Sequence, residues 1–522
     1  MKHRRLLAVL LFLLTPLFLH GPAVWADAPG VYAITGGTIH PVSGPAIPNG
    51  TLIIRGGLIE AIGANVTVPP DAAIVDVKGA HIYPGLIDAQ TSLGFPASKR
   101  GDAEPTPDSL AQRSVKISDD DADSRRATGV TTIVTAPSAG IFQGQSAMLN
   151  LGSGPPESRV IKSPVALQIA FNPRPTWTYP DSLMGVIAFL RQNLLDAQQH
   201  TAAREVYERA PAGLQRPADN PSLEALRPAL RRELPVVFIA DSEAMMRRAQ
   251  NLAREFNLRY VLSGARHAYA VAGDMKDVPM LVSVKWPAAP ADKDDREDQP
   301  LRVIRARQLA PTTPAALVKS GATFALVSGS GKSGDFLPGI RKAIENGLSA
   351  DDALRATTLS PARIFGVERQ LGSLERGKIA NVVVSDKPLF DKDAKVTRVF
   401  VDGREMRLPK DEKKSDAATA ASPIEGSWAL TVRAPEGSVA MQVTFDAEDG
   451  KLTGTYSGDR GSGDIRGGSI DGNSFEFTIS VNAQNAAEAS DWVFRGTLDG
   501  DAISGTVSTT LGTFEFSGSK SK

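Results

Sequence analysis

From residue 31 onward, apolar and polar residues alternate in short runs. Residues 50–55 and 73–77 show this pattern, and glycine or proline pairs separate such runs. A period of two puts successive side chains on opposite faces of a strand, which is typical of a half-buried sheet. The same texture returns at 380–384 and 398–403, so we predict two sets of short strands far apart in the sequence.

Between these two sets, apolar strands alternate with helices. The β-branched run 131–134 predicts one strand, and 235–240 predicts another that leads into 242–256, where the apolar spacing is helical. Residues 259–262 lead into a further predicted helix, and the apolar run 278–284 follows. Alternating strands and helices predict a parallel sheet, most economically a (β/α)8 TIM barrel in an α/β chain.

The length of 522 residues allows two or three domains. We predict the barrel over residues 83–377. The flanking strands, in residues 27–82 and 378–407, would form one composite small β-sandwich domain from both ends of this segment. Residues 408–423 are rich in Lys, Asp, Glu, Ser and Ala, which predicts a linker.

The last segment, residues 424–522, has a different texture. Ser and Thr alternate with apolar residues, and turns recur every ~10 to 12 positions, the spacing of an all-β domain. About eight strands fit this length, which is enough to close an antiparallel up-and-down barrel. A sandwich is the alternative.

The N-terminus predicts a signal peptide over residues 1–26. Three basic residues precede the apolar run 6–19, and small residues at 23–26 supply a cleavage site. The run is short for a membrane span and contains Pro16, so a retained anchor is the weaker interpretation. We expect a periplasmic or secreted chain, with no membrane span after cleavage.

Composition excludes several classes of function. The chain has no Cys, which excludes disulfides and thiol catalysis. Its 58 basic residues balance 58 acidic ones, and aromatic residues make up only 6%. Nothing in this balance indicates binding to nucleic acid or to a membrane surface.

Several short segments occur in an order that can be compared with known protein families. They are 37–42, 84–88, 347–349, 353–358, 360–362 and 371–381. In this order and at this separation they resemble the amidohydrolase superfamily, particularly its secreted, imidazolonepropionase-like branch. The segment 371–381 departs from the pattern at its end, where Asn381 replaces an aspartate. The resemblance covers residues 31 to about 406 and implies the barrel with its composite β-domain.

The resemblance also implies a metal site at the mouth of the barrel, and its ligand positions can be compared with this chain. Family members carry His-x-His after the first strand, where this chain has Gln90 and Ser92. The aspartate after the eighth strand, which also acts as the base, corresponds to Gly329. The intermediate positions are less well defined, because strand ends are uncertain by a few residues. They fall near Phe171, near Ile239 and Asp241, and in 263–267.

Histidines are scarce. Six exist, and two of them lie in the predicted signal peptide. Only His267 lies near a predicted barrel mouth, and we interpret it as a polar residue at a helix N-terminus. A hydrolytic zinc site usually needs three protein ligands and an open position, which one histidine cannot supply.

Carboxylates offer an alternative set of ligands. Asp88 and Asp241 both follow predicted strands and could hold Mg²⁺, Mn²⁺ or Ca²⁺. Structural roles compete with this hypothesis, because Asp241 could also cap the helix that follows it. The acidic run 119–123 is better explained as a solvated helical face than as an ion site.

The segment 329–333 imitates a phosphate-binding loop, but Leu326 stands where the first glycine of that motif is required. Its backbone N–H groups could still bind an anion. Ser328 and Ser330 lack an identifiable histidine base, which argues against a serine hydrolase.

These observations predict an exported protein related to hydrolases of non-peptide C–N bonds, in which the standard metal-dependent activity is lost. It would bind a small molecule or peptide at the barrel mouth, as a homo-oligomer or with an active relative, and we expect no cofactor. The alternative is an active hydrolase with one divalent metal ion on Asp88 and Asp241. Candidate ligand-binding residues are Asp88, Asp241, His267, Ser328 and Ser330.

Overall fold

The computed structural model describes residues 30–95, 104, 106–174, 178–289, 299–329, 333–408, 423–434, 437–448, 451–458, 461–481, 490–509 and 512–521. The predicted signal peptide, most of the predicted linker and Ser330 lie outside the described residues. The chain divides into two compact units, residues 1–410 and 411–522, and each is described by itself.

Both ends of the first unit contribute to one eight-stranded sheet, as the two sets of alternating runs predict. Its order is β18-β17-β16-β5-β1-β2-β3, and β4 pairs with β1. Inward side chains such as Ile34, Leu52 and Phe400 are fully buried in one cluster. The strands are β1 (Val31–Ile39), β2 (Ile47–Arg55), β3 (Leu58–Gly63), β4 (Ala73–Asp76), β5 (His81–Pro84), β16 (Val382–Ser385), β17 (Val396–Val401) and β18 (Arg404–Met406).

The rest of the first unit is the barrel. Parallel pairing joins β6 to β7 and runs from β11 through β15, while β15 lies against β6. Every residue of β7, β11, β14 and β15 is buried, as strands covered by helices require. The strands are β6 (Leu86–Thr91), β7 (Val130–Thr135), β8 (Phe142–Gln145), β9 (Ala147–Asn150), β10 (Val160–Lys162), β11 (Leu167–Ala170), β12 (Val236–Ala240), β13 (Tyr260–Gly264), β14 (Met280–Ser283) and β15 (Phe324–Val327).

One position of the barrel departs from the predicted alternation. Between β7 and β11 the chain forms β8 and β9, which pair antiparallel with β11 and β7 respectively. Residues 136–166 are all described and contain no α-helix. This antiparallel segment therefore fills the third place in the barrel, and it brings Gln143 to the same end as the carboxyl ends of its neighbours.

Helices cover the outside of the barrel. Side-chain oxygens accept hydrogen bonds from the first turns of five of them, at Ser118, Ser182, Asn220, Ser242 and Ser349. The helices are α1 (Ala111–Ser114), α2 (Asp119–Ala127), α3 (Leu183–Arg209), α4 (Pro221–Leu230), α5 (Glu243–Glu255), α6 (Leu301–Leu309), α7 (Thr313–Ser320), α8 (Phe336–Glu345), α9 (Ala350–Thr357) and α10 (Leu359–Ile364).

Two predictions about these helices can be compared with the structure. The acidic run lies on α2, where Asp119, Asp120 and Asp121 are exposed, in agreement with a solvated helical face. The helix predicted after residues 259–262 is wrong. A short 3-10 helix, Ala268–Ala270, and a series of turns occupy that place, because Gly273 and Pro279 interrupt the segment.

The second unit is a closed antiparallel β-barrel of eight strands, as predicted. Pairing runs β20-β19-β27-β26-β25-β24-β23-β21, and β20 pairs with β21 to close the ring, while β22 extends β23 along β21. Aromatic side chains fill the interior, where the rings of Phe477 and Phe494 stack at 4.7 Å. The strands are β19 (Gly426–Ala434), β20 (Gly437–Glu448), β21 (Lys451–Gly458), β22 (Gly461–Asp464), β23 (Arg466–Asp471), β24 (Ser474–Val481), β25 (Ser490–Asp499), β26 (Ala502–Thr509) and β27 (Gly512–Lys520).

A search of the described residues for membrane-spanning helices found none with the length and apolar character required.

Candidate functional site

A cavity of about 400 Å³ opens at the mouth of the barrel, where the carboxyl ends of its parallel strands meet. Most of its polar lining consists of neutral hydroxyl and amide groups. The charged residues in the lining are Asp241, Arg266 and Lys285. The neutral polar residues are Gln90, Thr91, Ser92, Ser138, Gln143, Asn172, Ser263 and Ser283.

The structure brings together three positions that the sequence singled out. Gln90 lies near the end of β6, Ser92 directly follows that strand, and Gly329 follows β15 on the adjoining side of the barrel. All three line the cavity. The side-chain oxygen of Gln90 is buried without a hydrogen-bond partner in the described part of the chain.

Gly329 has no room for a side chain. Its φ of +62° lies in the left-handed region that favours glycine. A Cβ atom at this position would lie 2.0 Å from the hydroxyl oxygen of Ser283, which extends from the end of the neighbouring strand β14. The space that a side chain at 329 would need is therefore occupied by Ser283.

Asp241 is the acidic residue in the described lining, and Arg266 binds both of its oxygens. The Nε atom of Arg266 lies 3.0 Å from Oδ1 and from Oδ2, and the backbone N–H of Arg266 donates to Oδ1 at 2.9 Å. Burial by itself would raise the pKa of Asp241, but the hydrogen bonds and charge of Arg266 outweigh burial and lower the pKa below its usual value. Asp241 therefore carries a negative charge that Arg266 already neutralises.

Local backbone geometry places Arg266 beside Asp241. Gly264 ends β13 with φ +91°, and Ala265 follows with φ +41°, so the chain turns sharply back towards β12. The expected capping role of Asp241 is wrong. The hydroxyl of Ser242 caps α5 instead, because it accepts the hydrogen bond from Met245 N at 3.4 Å.

Asp88 and Ser328 do not line the cavity but join the two strands that close the barrel. The backbone N–H of Ser328 donates to Asp88 Oδ1 at 3.0 Å, and its hydroxyl donates to Oδ2 at 2.6 Å. Arg125 from α2 lies 3.4 Å from Oδ2. Burial raises the pKa of Asp88, against the opposing effect of Arg125 and Ser328. Asp88 is 0% exposed and is absent from the cavity lining that contains Asp241, so the structure does not bring together at the mouth the two carboxylates of the alternative metal site.

The remaining predicted residues lie elsewhere. His267 precedes the 3-10 helix and makes no capping hydrogen bond, which agrees with its predicted place but not with a capping function. It does not belong to the cavity lining. Phe171 packs against Phe238 in the layer between barrel and helices, while the next residue, Asn172, lines the cavity. Ser330 lies outside the described residues.

Several lining residues escaped the sequence analysis. Ser283 lies at the end of the apolar run 278–284 and Lys285 directly follows it, so the end of that run was the available signal. Arg266 lay within the compared segment 263–267 but drew no prediction. Nothing in the sequence pointed to Gln143, because it belongs to the antiparallel segment, which does not follow the alternation of strand and helix.

The donor groups do not suit a catalytic divalent metal ion. Zinc prefers imidazole, thiolate or carboxylate ligands, and Mg²⁺ or Mn²⁺ prefer carboxylates, whereas most of the polar lining is neutral. Arg266 presents N–H donors and a positive charge at the carboxylate of Asp241. Within the described residues, no three His, Asp or Glu side chains lie close enough together to hold a metal.

Comparison with known proteins places the fold. Residues 308–406 match the model of the amidohydrolase family. The structure of an amidohydrolase from Thermotoga maritima superposes with a TM-score of 0.64 and 24% identity, covering 72% of this chain and 100% of that one. Residues 308–406 are thus similar to the amidohydrolase family, and the chain shares the fold of the Thermotoga maritima protein.

Curated relatives match only part of this chain. Adenine deaminase from Clostridium botulinum (strain Loch Maree / Type A3) is 36% identical over 64 residues, which are 12% of this chain and 10% of that protein. Adenine deaminase from Moorella thermoacetica is 30% identical over 118 residues, 20% of this chain and 19% of that protein. The chain thus spans a tenth to a fifth of the length of these relatives.

Proposed function

We propose that this protein is a member of the amidohydrolase superfamily that binds a small polar molecule at the barrel mouth and has lost metal-dependent hydrolysis. The observation that carries the proposal is the state of Asp241. It is the carboxylate of the described lining, and Arg266 engages both of its oxygens. A carboxylate held in this way is a poor ligand for a second cation, because the ion would have to displace Arg266.

Two further observations support the loss of hydrolysis. The positions that correspond to the family's paired histidines hold Gln90 and Ser92, which are neutral. The position that corresponds to its aspartate holds Gly329, where Ser283 fills the space for a side chain. Without a metal ion, nothing lowers the pKa of water from about 15.7 towards the neutral range.

The cavity itself supports a binding function. Its volume of about 400 Å³ falls within the range of small-molecule sites. Its hydroxyl and amide groups can donate and accept hydrogen bonds, which suits a polar ligand. The ligand would be met outside the cytoplasm if the N-terminal segment directs export, as its sequence predicts.

A turnover assay tests the proposal. The full chain would be incubated with adenine and with a panel of cyclic amides, with Zn²⁺ or Mn²⁺ added, and products would be measured by mass spectrometry. We expect no hydrolysis above the buffer rate, for the wild type and for Asp241→Asn alike. Hydrolysis by the wild type that Asp241→Asn abolishes would overturn the proposal.

A further inference from the structure

The charges at the barrel mouth do not cancel. Asp241 and Arg266 form a neutral pair, which leaves the ammonium group of Lys285 as the unbalanced charge of the described lining. The backbone of Lys285 is anchored on both sides. Its carbonyl accepts from Arg266 Nη1 at 2.9 Å, and its N–H donates to Ser283 Oγ at 3.3 Å. The base of the Lys285 side chain is therefore fixed at the rim of the cavity.

No hydrogen bond or ion pair engages the Lys285 ammonium within the part of the chain that the structure describes. Among the described lining residues, positive charge exceeds negative charge by one, and Lys285 carries that excess. A site with this balance attracts a monoanion more strongly than a neutral molecule of the same shape, since charge complementarity favours the oppositely charged ligand.

Gln90 adds a second requirement for a ligand, which is a hydrogen-bond donor. Its side-chain oxygen is buried beside the cavity and has no donor among the described residues. A buried acceptor without a partner costs free energy, on the order of 1–3 kcal/mol. Rotation of the side-chain amide at the cavity wall would present this oxygen to a ligand N–H or O–H group, which would recover that cost. A ligand that fits both features carries a negative group and a hydrogen-bond donor.

We propose that the barrel-mouth cavity binds a small organic monocarboxylate whose carboxylate lies against Lys285 and whose N–H or O–H group donates to Gln90. This inference rests on the proposed binding function and defines its ligand class. A carboxylate is favoured over a phosphate, because the second negative charge that phosphate largely carries at neutral pH would have no partner in the described lining.

Matched probes test the two contacts separately. N-acetylglycine carries a carboxylate and an amide N–H, N-acetylglycinamide keeps the N–H without the charge, and pentanoate keeps the charge without the N–H. Binding of each to the full chain would be measured by calorimetry at low ionic strength, where screening is weak. We expect N-acetylglycine to bind roughly 10-fold more tightly than its amide, and several-fold more tightly than pentanoate or inorganic phosphate.

Variants assign each preference to its residue. Lys285→Met should abolish the preference for the acid over the amide, while Lys319→Met, at an exposed position on α7 outside the cavity, should leave it intact. Gln90→Leu should abolish the preference for N-acetylglycine over pentanoate without lowering the unfolding temperature, because it replaces an unpaired buried amide by an apolar group.

Three results would overturn the inference: no probe binds, the acid and its amide bind equally, or inorganic phosphate binds more tightly than N-acetylglycine. Retention of the acid preference in Lys285→Met would do the same. Each sample would also be assayed for acetate and glycine, the products of hydrolysis. Their formation would overturn the proposed function instead, so the two failures are distinguishable.

Discussion

A Cβ atom added to Gly329 would lie 2.0 Å from the hydroxyl oxygen of Ser283 and 2.8 Å from its Cβ atom. These two residues come from the ends of neighbouring strands at the barrel mouth. Ser283 thus occupies the place in which the side chain of an aspartate at position 329 would begin. Gly329 and Ser283 are therefore coupled, because the hydroxyl of Ser283 fits only while position 329 has no side chain.

We predict that Gly329→Ala lowers the free energy of unfolding by roughly 2–4 kcal/mol, from the cost of a left-handed backbone and of overpacking. Ser283→Gly in the same chain should recover part of that loss, and a double-mutant cycle from chemical denaturation measures the coupling. Gly273→Ala is the control, because a Cβ atom there meets nothing within 4 Å. A simple sum of the two single effects would show that Ser283 does not occupy this space.

The pair of Asp241 and Arg266 predicts a pH dependence of stability. The pKa of Asp241 is lowered in the fold, so its contribution is present above the unfolded pKa of about 3.9 and is lost as the pH falls through the folded value. Asp241→Asn should therefore destabilise the protein at pH 7 by about 1 kcal/mol, because the pair is partly exposed. The difference between wild type and variant should shrink below about pH 4. Equal stability curves across this range would exclude the interaction.

The contacts of Asn381 predict the effect of placing an aspartate at this position. Its Nδ2 donates to Asn150 Oδ1 at 2.9 Å and to Thr132 Oγ1 at 3.1 Å, while its Oδ1 accepts from the N–H of Asp402 at 2.9 Å. Asn381→Asp would remove both donations and bury a charge that faces the amide oxygen of Asn150.

We expect Asn381→Asp to lower the free energy of unfolding by roughly 2–4 kcal/mol, measured by chemical denaturation. Asn251→Asp on the exposed side of α5 is the matched control and should change stability by less than about 0.5 kcal/mol. A neutral effect of Asn381→Asp would mean that the amide network does not depend on the Nδ2 donor.

The sequence predicted the fold well because its signals were local and periodic. Alternating runs marked the composite sheet and the C-terminal barrel, and α5 followed its helical spacing. The antiparallel strands β8 and β9, which pair with β11 and β7, were missed, because a short buried strand has the same composition in either direction.

The sequence predicted a site residue where a motif fixed its position. It did not predict residues whose function depends on their depth in the barrel or on their hydrogen-bond partners. Gln90 and Asp88 lie two residues apart on one strand and so face the same side, yet Gln90 lines the cavity and Asp88 is buried below it. Sequence spacing does not specify depth within a barrel. It also could not foresee that Arg266, 25 residues away, would engage Asp241.

Metal content distinguishes a lost metal site from a retained one. Wild type and Asp241→Asn would be equilibrated with Zn²⁺ and with Mn²⁺, dialysed, and analysed by inductively coupled plasma mass spectrometry. If the metal site is lost, both chains retain far less than stoichiometric metal, with no difference between them. Stoichiometric metal in the wild type that is lost in Asp241→Asn would contradict the loss of the site.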